Sequence, residues 1–307
     1  MKTRITTICL YLLLVLSASA EPRYRKSSVS HWLGWSITGV EANAFTKSRL
    51  PIEMLVGGGG QFHLQYELHK GGFFCNLGFG ADYMLTQLAI PSYSNEFKSV
   101  DYTGEKVLYR YCYADYKEQQ RQVRLVVPIQ FGYQFEKGLY VGVGAAFRVQ
   151  PLINTYSTHT RMLTEGEYDR FIQPIRNAPD YGYWTEDEYT GSGKVKSATN
   201  EMALEVEIGA RIPNPAKWFN LRIGAFIGYD FPLGSFKSRK ETPLVDYSAI
   251  DVNPSTQSIA NLQENIRFNS ILDANIVSAS AQRLRVGLRL TMLFDVTTHR
   301  KHCMCNN

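Results

Sequence analysis

Several features that identify common protein classes are missing from this sequence. Beyond residue 20 there is no run of about 20 apolar residues, so no transmembrane helix is expected. The formal net charge is only +5, which gives weak support for a nucleic-acid partner, and none is predicted. Neither the nucleophile pattern G-x-S-x-G nor the zinc-protease pattern H-E-x-x-H occurs, so no enzyme class is indicated.

Cysteine and metal-binding patterns are also sparse. The chain has five cysteines, and Cys9 lies inside the first apolar run, not after it, where a lipoprotein would carry its modified cysteine. Cys75 is expected near a short turn and Cys112 in a long loop on the opposite side, too far apart for a disulfide. Histidines and cysteines cluster in residues 299–305, but no turn separates them into the ligand pairs of a zinc site. Neither a metal nor a cofactor is predicted.

The N-terminus has the pattern of a secretory leader. Lys2 and Arg4 precede a short apolar core at 8–16, and an Ala-Ser-Ala cleavage pattern follows. Residues 1–20 are therefore predicted to be a signal peptide that is cleaved before Glu21. The exported chain is predicted to consist of a short periplasmic segment, a barrel and a flexible tail, at residues 21–30, 31–296 and 297–307.

Most of the exported chain shows an alternation that is typical of β-strands. Hydrophobic residues make up 44% of the sequence and aromatic residues 13%, a composition that favours strands. In residues 123–135 every odd position is apolar, whereas the even positions are mostly polar or small. Successive side chains of a strand point to opposite faces, so this segment is predicted to have one apolar face. The first of seven further segments with this pattern has an ambiguous register and a possible bulge. The seven segments are 31–45, 61–68, 73–85, 139–149, 202–212, 221–231 and 284–296.

The connections between the eight predicted strands alternate in length. Three of them are short turns, at 69–72, 136–138 and 213–220. Those on the other side are long, except the first at 46–53, and they comprise residues 89–120, 154–199 and 235–281. An even number of strands with short turns on one side and long loops on the other is typical of an outer-membrane β-barrel.

A soluble sandwich or lipocalin would also alternate apolar and polar residues, with the apolar face inward. Two features favour the inverse arrangement. The polar faces are rich in glycine and charge, whereas the apolar faces carry no charge over as many as seven positions. Aromatic residues also gather at both ends of the strands, as in the girdles of membrane barrels. The sequence therefore predicts an all-β, eight-stranded, antiparallel, up-and-down transmembrane barrel with short periplasmic turns and long extracellular loops.

One hairpin of this chain is similar to a known family. It consists of VRLVVPI at 123–129, FGY at 131–133 and, after a short turn, LYVGVGA at 139–145. Together with the apolar last strand around 286–290, it resembles the Bacteroidetes-type outer membrane protein β-barrel domain, a small barrel of OmpA-like architecture. The chain departs from this pattern after residue 296, where many barrels stop at a terminal aromatic residue. The resemblance implies a fold and an outer-membrane location, not a reaction.

The inward positions of the predicted strands carry most of the charge. A lumen of eight strands is only wide enough for side chains, and buried charges need partners. We expect either a plug of ion pairs that rigidifies a closed barrel or, as the alternative, a gated and weakly anion-selective channel. The acidic members are Glu67, Asp82, Glu205, Glu207 and Asp230, and the basic ones are Arg124, Arg148, Arg211, Arg222, Arg283, Arg285 and Arg289.

Tyrosine is concentrated in two of the long connections. Its ring and hydroxyl suit a recognition surface, but the same residues would also pack the loops into a lid over the barrel. Residues 255–268 of the last connection have the apolar spacing of a short amphipathic helix over the mouth. The residues predicted to form a recognition surface are Tyr102, Tyr109, Tyr111, Tyr113, Tyr183 and Trp184.

Together these patterns predict a non-enzymatic outer-membrane protein with a structural or surface-recognition role. A narrow gated solute channel is the first alternative, and a lipid- or peptide-modifying barrel enzyme is the second. His63 and Glu67 share an inward face, but no nucleophile stands at a diagnostic spacing from them. The expected partners are outer-membrane lipid and lipopolysaccharide, the barrel-insertion machinery, and an extracellular or envelope protein.

Overall fold

The fold is an antiparallel all-β arrangement. The structure, a computed structural model, describes residues 29–45, 51–100, 104–177, 187–196, 199–212, 218–233, 242–246, 266–277 and 282–297. The predicted leader and most of the predicted tail lie outside these residues. The strands are β1 (Ser30–Phe45), β2 (Glu53–Lys70), β3 (Phe73–Val100), β4 (Lys106–Gln134), β5 (Leu139–Arg148), β6 (Ile153–Tyr168), β7 (Asp187–Lys194), β8 (Glu201–Ile212), β9 (Phe219–Pro232), β10 (Val245–Asp246), β11 (Arg267–Phe268) and β12 (Gln282–Asp295).

Eight of these strands pair in a ring, which confirms the predicted number and antiparallel order. The order of pairing is β3-β2-β1-β12-β9-β8-β5-β4, and β4 pairs again with β3. The first strand meets the last along its length, from Trp32 opposite Asp295 to Phe45 opposite Gln282. The bulge suggested for the first strand is not found in β1, whose pairings keep one register. The irregularity lies instead between β2 and β3, next to Leu55 and Gly58.

The short connections lie at one end of the ring, which we call the turn end. The β2–β3 turn consists of Gly71 and Gly72, with φ of 57° and 96°. Two consecutive residues with positive φ match the twist of a tight hairpin, and glycine adopts this conformation without strain. The start of β1 and the end of β12 lie at the same end. The opposite end, which carries the longer connections, is called the loop end.

The prediction that residues 89–120 form a long loop is wrong, because this segment consists largely of strand. β3 continues to Val100 and β4 starts at Lys106, so the two form a hairpin that extends far beyond the ring. The outer half of β4 also pairs with β6, and β6 pairs with β7. These four strands form what we call the outer sheet. The alternation of tyrosines along β4 is typical of a strand, but the segment is so long that it was predicted to be a loop. Cys75, in the ring, and Cys112, in the outer sheet, are both free.

One face of the outer sheet is covered by two short segments, residues 242–246 and 266–277, which we call the lid. Strands β10 and β11 pair within the lid. Its apolar side chains join those of the outer sheet in one buried cluster of twenty residues. The amphipathic helix predicted for 255–268 is not formed at its described end, where Arg267–Phe268 is a strand; residues 255–265 lie outside the described residues.

The ring has polar residues inside and apolar residues outside. Ser36, Gln61 and Asn76 are 6% exposed or less, whereas Leu64 and Ile208 are 58% and 64% exposed. A water-soluble protein hides its apolar face, so this distribution is reversed over the whole ring. No helix in the described part of the chain is long and apolar enough to span a membrane.

Candidate functional site

The interior of the ring contains a dense set of paired charges, called the interior network here. Alternate residues of each strand point inward, so the strand period of two places every member. Six carboxylates and six guanidinium groups of the ring strands are at most 7% exposed. They are Glu67, Asp82, Glu201, Glu205, Glu207 and Asp230, and Arg124, Arg148, Arg222, Arg283, Arg285 and Arg289.

Arg148 is the centre of the network and is fully buried. Its guanidinium lies 2.9 Å from Asp82 on β3 and 2.9 Å from Asp230 on β9. It also lies 3.4 Å from Glu205 on β8. Arg285 on β12 contacts the same Asp230 at 2.8 Å and Glu205 at 2.5 Å. The two arginines and three carboxylates therefore tie together strands from opposite sides of the ring.

A second group of charges lies towards the turn end. Arg222 of β9 donates to Glu67 of β2, and its guanidinium also lies 2.9 Å from His69. Arg289 joins this group to the centre, because it contacts both Glu205 and Glu207 at 2.7 Å. The Tyr140 hydroxyl donates to Glu207 at 2.5 Å. Each of these carboxylates thus has at least two donors, as buried anions require.

Glycine makes room for the tyrosine in this group. A Cβ atom at Gly209 would lie 2.6 Å from the Tyr140 ring, closer than van der Waals contact allows. The glycines on the polar faces therefore reflect a narrow interior that bulky side chains already fill.

The third group lies towards the loop end and contains a residue that was not predicted from the sequence. Glu201, the first residue of β8, lies 2.5 Å from Arg124 and 3.6 Å from Arg283. Gln122 accepts hydrogen bonds from both arginines at 2.8 Å. The alternation along β8 could have identified Glu201. Odd-numbered residues of this strand point inward, as Glu205 and Glu207 do, and Glu201 is four residues before Glu205.

The structure brings the predicted lumen charges together, with one exception. Arg211 lies near the turn end of β8, opposite Arg222, and is only partly buried. With Glu201 included and Arg211 outside the buried set, the network contains equal numbers of buried acidic and basic residues. The excess of positive charge that suggested weak anion selectivity is therefore absent from the buried network.

One cavity inside the ring lies beside the interior network. The cavity next to Ser36, His63, Glu67 and Tyr140 has a volume of about 20 Å³. That is room for about one water molecule, which is too little for a solute at this level of the ring.

A serine and a histidine also face this cavity. The Ser36 hydroxyl lies 3.4 Å from Nδ1 of His63, and both side chains are at most 2% exposed. This pairing resembles a nucleophile and its base, but a cavity of about 20 Å³ leaves no room for an acyl substrate. Among the described residues, no group of three or more His, Cys, Asp or Glu could hold a metal ion.

The predicted recognition tyrosines have a different position from the one expected. Tyr109, Tyr111 and Tyr113 are 7%, 1% and 1% exposed, so they form the core of the outer sheet and not a surface. Of the two alternatives, packing under a lid fits these three residues, because the lid covers the face on which they lie. The other members, Tyr102, Tyr183 and Trp184, lie outside the described residues.

The outer surface of the ring has aromatic residues near both ends. At the turn end the rings of Phe73 and Tyr133 are 4.9 Å apart, and Trp218 stacks on Phe294 at 6.0 Å. Near the loop end Tyr83, Phe147 and Tyr229 are 46%, 40% and 38% exposed. Between these levels the exposed side chains are apolar: Ile37, Leu64, Phe79, Val143, Leu204, Val206, Ile227 and Leu288.

Comparison with known proteins adds little to these observations. No family model and no curated protein matches the chain, so the resemblance to the Bacteroidetes-type barrel domain stays a prediction. Among solved structures, the attachment invasion locus protein Ail of Yersinia pestis is 11% identical in its complex with the heparin analogue sucrose octasulfate and 8% identical alone. Both alignments cover 86% of this chain and 99% of Ail, with TM-scores of 0.24 and 0.25. A FadL homologue of Pseudomonas aeruginosa is 8% identical over 88% of this chain and 91% of its own, with a TM-score of 0.18.

Proposed function

We propose that this protein is a closed, non-enzymatic outer-membrane β-barrel that holds a folded β-sheet at the cell surface, in a structural or recognition role. Each part of the molecule supports a different element of this proposal: the ring's exterior supports the membrane, the network supports closure, and the outer sheet supports the role outside the cell.

The distribution of polarity over the ring carries the proposal. Aliphatic and aromatic side chains cover the outside of all eight strands, and charges fill the inside. An exposed apolar surface that surrounds a protein needs an apolar solvent, and a lipid bilayer provides one. From Phe73 to Tyr83, ten residues at about 3.3 Å each and tilted by about 40° give a height of about 25 Å. This is the height of the apolar band on outer-membrane barrels.

The orientation follows from the two ends. The predicted leader would deliver the chain to the periplasm, where barrels are inserted with short turns inward and longer loops outward. The turn end of this ring, which also holds both ends of the ring's chain, would then face the periplasm. The outer sheet would lie outside the cell, together with the lid.

A narrow gated channel is the second candidate, and the polarity of the interior favours it. Buried charges line the ring from Glu67 near the turn end to Glu201 near the loop end. A conducting state would require this network to rearrange, because the observed cavity has room for about one water. We therefore propose the closed barrel first. A measurement of conductance distinguishes it from the gated channel.

The recognition role would use the outer sheet and the connections around it. The face of this sheet that the lid does not cover, called the open face, is charged. On it Arg110 pairs with Glu96 at 2.6 Å and with Glu165 at 2.8 Å. An extracellular or envelope protein is the partner class that we propose for this face. Outer-membrane lipid and lipopolysaccharide would contact the apolar exterior of the ring, and the barrel-insertion machinery would act on it during assembly.

The test begins with location and closure. The mature protein should fractionate with the outer membrane, and it should migrate as a compact band on a gel until it is boiled. In a planar bilayer the folded protein should be silent. Recovery in the soluble periplasmic fraction would overturn the membrane assignment, and steady discrete openings would replace the closed barrel with the channel.

A further inference from the structure

The lid is a small unit with its own internal bonds. Val245 pairs with Phe268, and the Asn275 amide donates to the Thr242 carbonyl at 2.7 Å. The Asn269 side-chain amide donates to the carbonyl of Pro243 at 2.9 Å. These bonds join two segments that are far apart in sequence, so the lid can move as one body.

Phe268 anchors the lid to the outer sheet. Its ring lies 5.9 Å from that of Tyr113 and 6.1 Å from that of Tyr189. The Tyr156 hydroxyl donates to the Phe268 carbonyl at 2.7 Å. Apolar packing of this kind does not depend on pH, so it sets a constant part of the docking free energy.

Several polar contacts also attach the lid, among them a hydrogen bond from the Lys196 amide to Asp273 at 2.8 Å, and one of these contacts is made by a buried carboxylate. Glu118 of β4 is 1% exposed and accepts hydrogen bonds from the Ser270 hydroxyl and the Ile271 amide, both at 2.7 Å. Gln120 donates to the same carboxylate at 2.6 Å. Within the described part of the chain, Glu118 forms no ion pair with an arginine or lysine. A buried carboxylate without a cation is rare, because burial disfavours its charge.

The groups that face Glu118 do not compensate its charge. Tyr116 lies on the same strand, Tyr156 on β6 and Asp273 on the lid, and each interacts electrostatically with it. Leu88, opposite Glu118 on β3, is apolar. Burial raises the pKa of Glu118 from 4.5 to about 7, and the negative charge of Asp273 adds to this effect.

We propose that the lid is a pH-sensitive closure latched by Glu118, docked most tightly in acid and loosened as the pH rises to neutrality. With the lid undocked, Glu118 meets water and returns to its usual pKa. The docked form therefore binds the proton more tightly, so docking is strongest below pH 4.5 and weakens until about pH 7, where the loss is complete. A pKa difference of this size predicts a change in the docking equilibrium on the order of 100-fold.

The lid lies directly beyond the interior network. Glu118 and Gln120 lie on the same face of β4 as Gln122 and Arg124, which belong to the loop-end group. Release of the lid would thus expose the outer side of that group to water. The proposal concerns the docking of the lid alone and does not depend on the barrel's conductance.

Hydrogen–deuterium exchange of the full mature chain in lipid nanodiscs tests the proposal. Protection of residues 266–277, corrected for the intrinsic pH dependence of exchange, should fall on the order of 100-fold between pH 5 and pH 8. Protection of residues 201–212 in the ring should not change with pH. In Glu118→Gln, whose amide can still bond Ser270 and Ile271, protection of the lid should be high at every pH. Glu188→Gln, an exposed carboxyl of β7, is the matched control and should behave as the wild type.

Two results would overturn the proposal: a wild-type lid whose protection does not vary with pH, or a Glu118→Gln lid that varies as the wild type does. If Glu118→Gln fails to dock the lid at all, Asp273→Asn decides the question. Removal of that negative charge should move the midpoint of the wild-type change to lower pH. An unmoved midpoint in Asp273→Asn would also contradict the proposal.

Discussion

Strand β4 crosses two regions of the molecule, the ring and the outer sheet, in which the arrangement of polarity is reversed. In the ring, Arg124 is buried on the inner face, and Val127 is 36% exposed on the outer face. In the outer sheet, Tyr111 is buried under the lid, and Arg110 is partly exposed on the open face. The change occurs within about a dozen residues of one continuous strand, around a bulge at Asp115, whose φ is 52°.

The reversal indicates that the surrounding medium changes along the strand. In water, side chains are sorted with the apolar face inward, as in the outer sheet. In lipid, an exposed apolar face has no penalty, and the polar face must be enclosed, as in the ring. The loop-end boundary of the proposed membrane segment therefore lies between Tyr116, the last tyrosine of the outer core, and Val123, where the apolar outer face begins.

The largest expected effect is the loss of a network charge inside the ring. Arg148→Leu leaves Asp82 and Asp230 without their central partner, and it should destabilise the ring by about 3–5 kcal/mol. Urea unfolding in lipid vesicles, read from the band shift on unboiled gels, measures the change. Arg161→Leu is the control, because its pair with Asp115 is exposed and should contribute less than about 1 kcal/mol. Equal effects of the two changes would contradict the network's role.

Truncation of an outer-core tyrosine should affect only the outer sheet. Tyr111→Ala creates a cavity in the cluster under the lid and should destabilise that sheet by about 3–4 kcal/mol. Limited proteolysis should then cut the outer sheet faster, while the compact band of the ring survives. A simultaneous loss of both would show that the two regions fold as one unit.

A charge on the exterior separates a membrane ring from a soluble one. Val206→Arg places a guanidinium midway along β8, at a side chain that is 44% exposed, and should destabilise the ring in lipid by about 2–4 kcal/mol. Ser192→Arg, on the exposed side of β7, should change stability by less than about 0.5 kcal/mol. If Val206→Arg were as neutral as its control in vesicle unfolding, the exterior would not face lipid.

The smallest expected effect comes from the open face of the outer sheet. Glu165→Gln removes the negative charge that pairs with Arg110 and Arg176; the carboxylate is 5% exposed, whereas the arginines are 32% and 56% exposed. Because both arginines stay in contact with water after the change, the loss should be at most about 1 kcal/mol and should shrink in high salt. Proteolysis rates at low and high salt measure it. A loss as large as that of Tyr111→Ala would show that solvent does not screen these two pairs.

Much of the ring could be predicted because its signal is local. A period of two assigns each residue to a face, and this was sufficient for the eight strands and nearly all inward charges. Glu201 was missed because the predicted strand began at Met202, one residue late. Arg211 lies on the inward face of β8, as predicted. Its burial depends on where the ring ends, and the sequence pattern does not give that position.

The outer sheet could not be predicted in the same way. Tyr109, Tyr111 and Tyr113 alternate like strand residues, but a strand of twenty-nine residues is far longer than usual, so the segment resembled a loop. The bulge at Asp115 also shifts the parity between the two halves of β4. Which residues covered the tyrosines depended on the lid, whose segments are distant in sequence.

The sequence by itself determined the inside and outside of the ring and the number of its strands, because alternation is a property of the local backbone. Only the tertiary structure decided which charges pair, since Arg148 contacts carboxylates on three other strands. It also decided that the tyrosines are buried and that Glu118 holds the lid through Ser270 and Ile271. Burial and long-range pairing arise when distant segments meet in space, and no local pattern specifies that meeting.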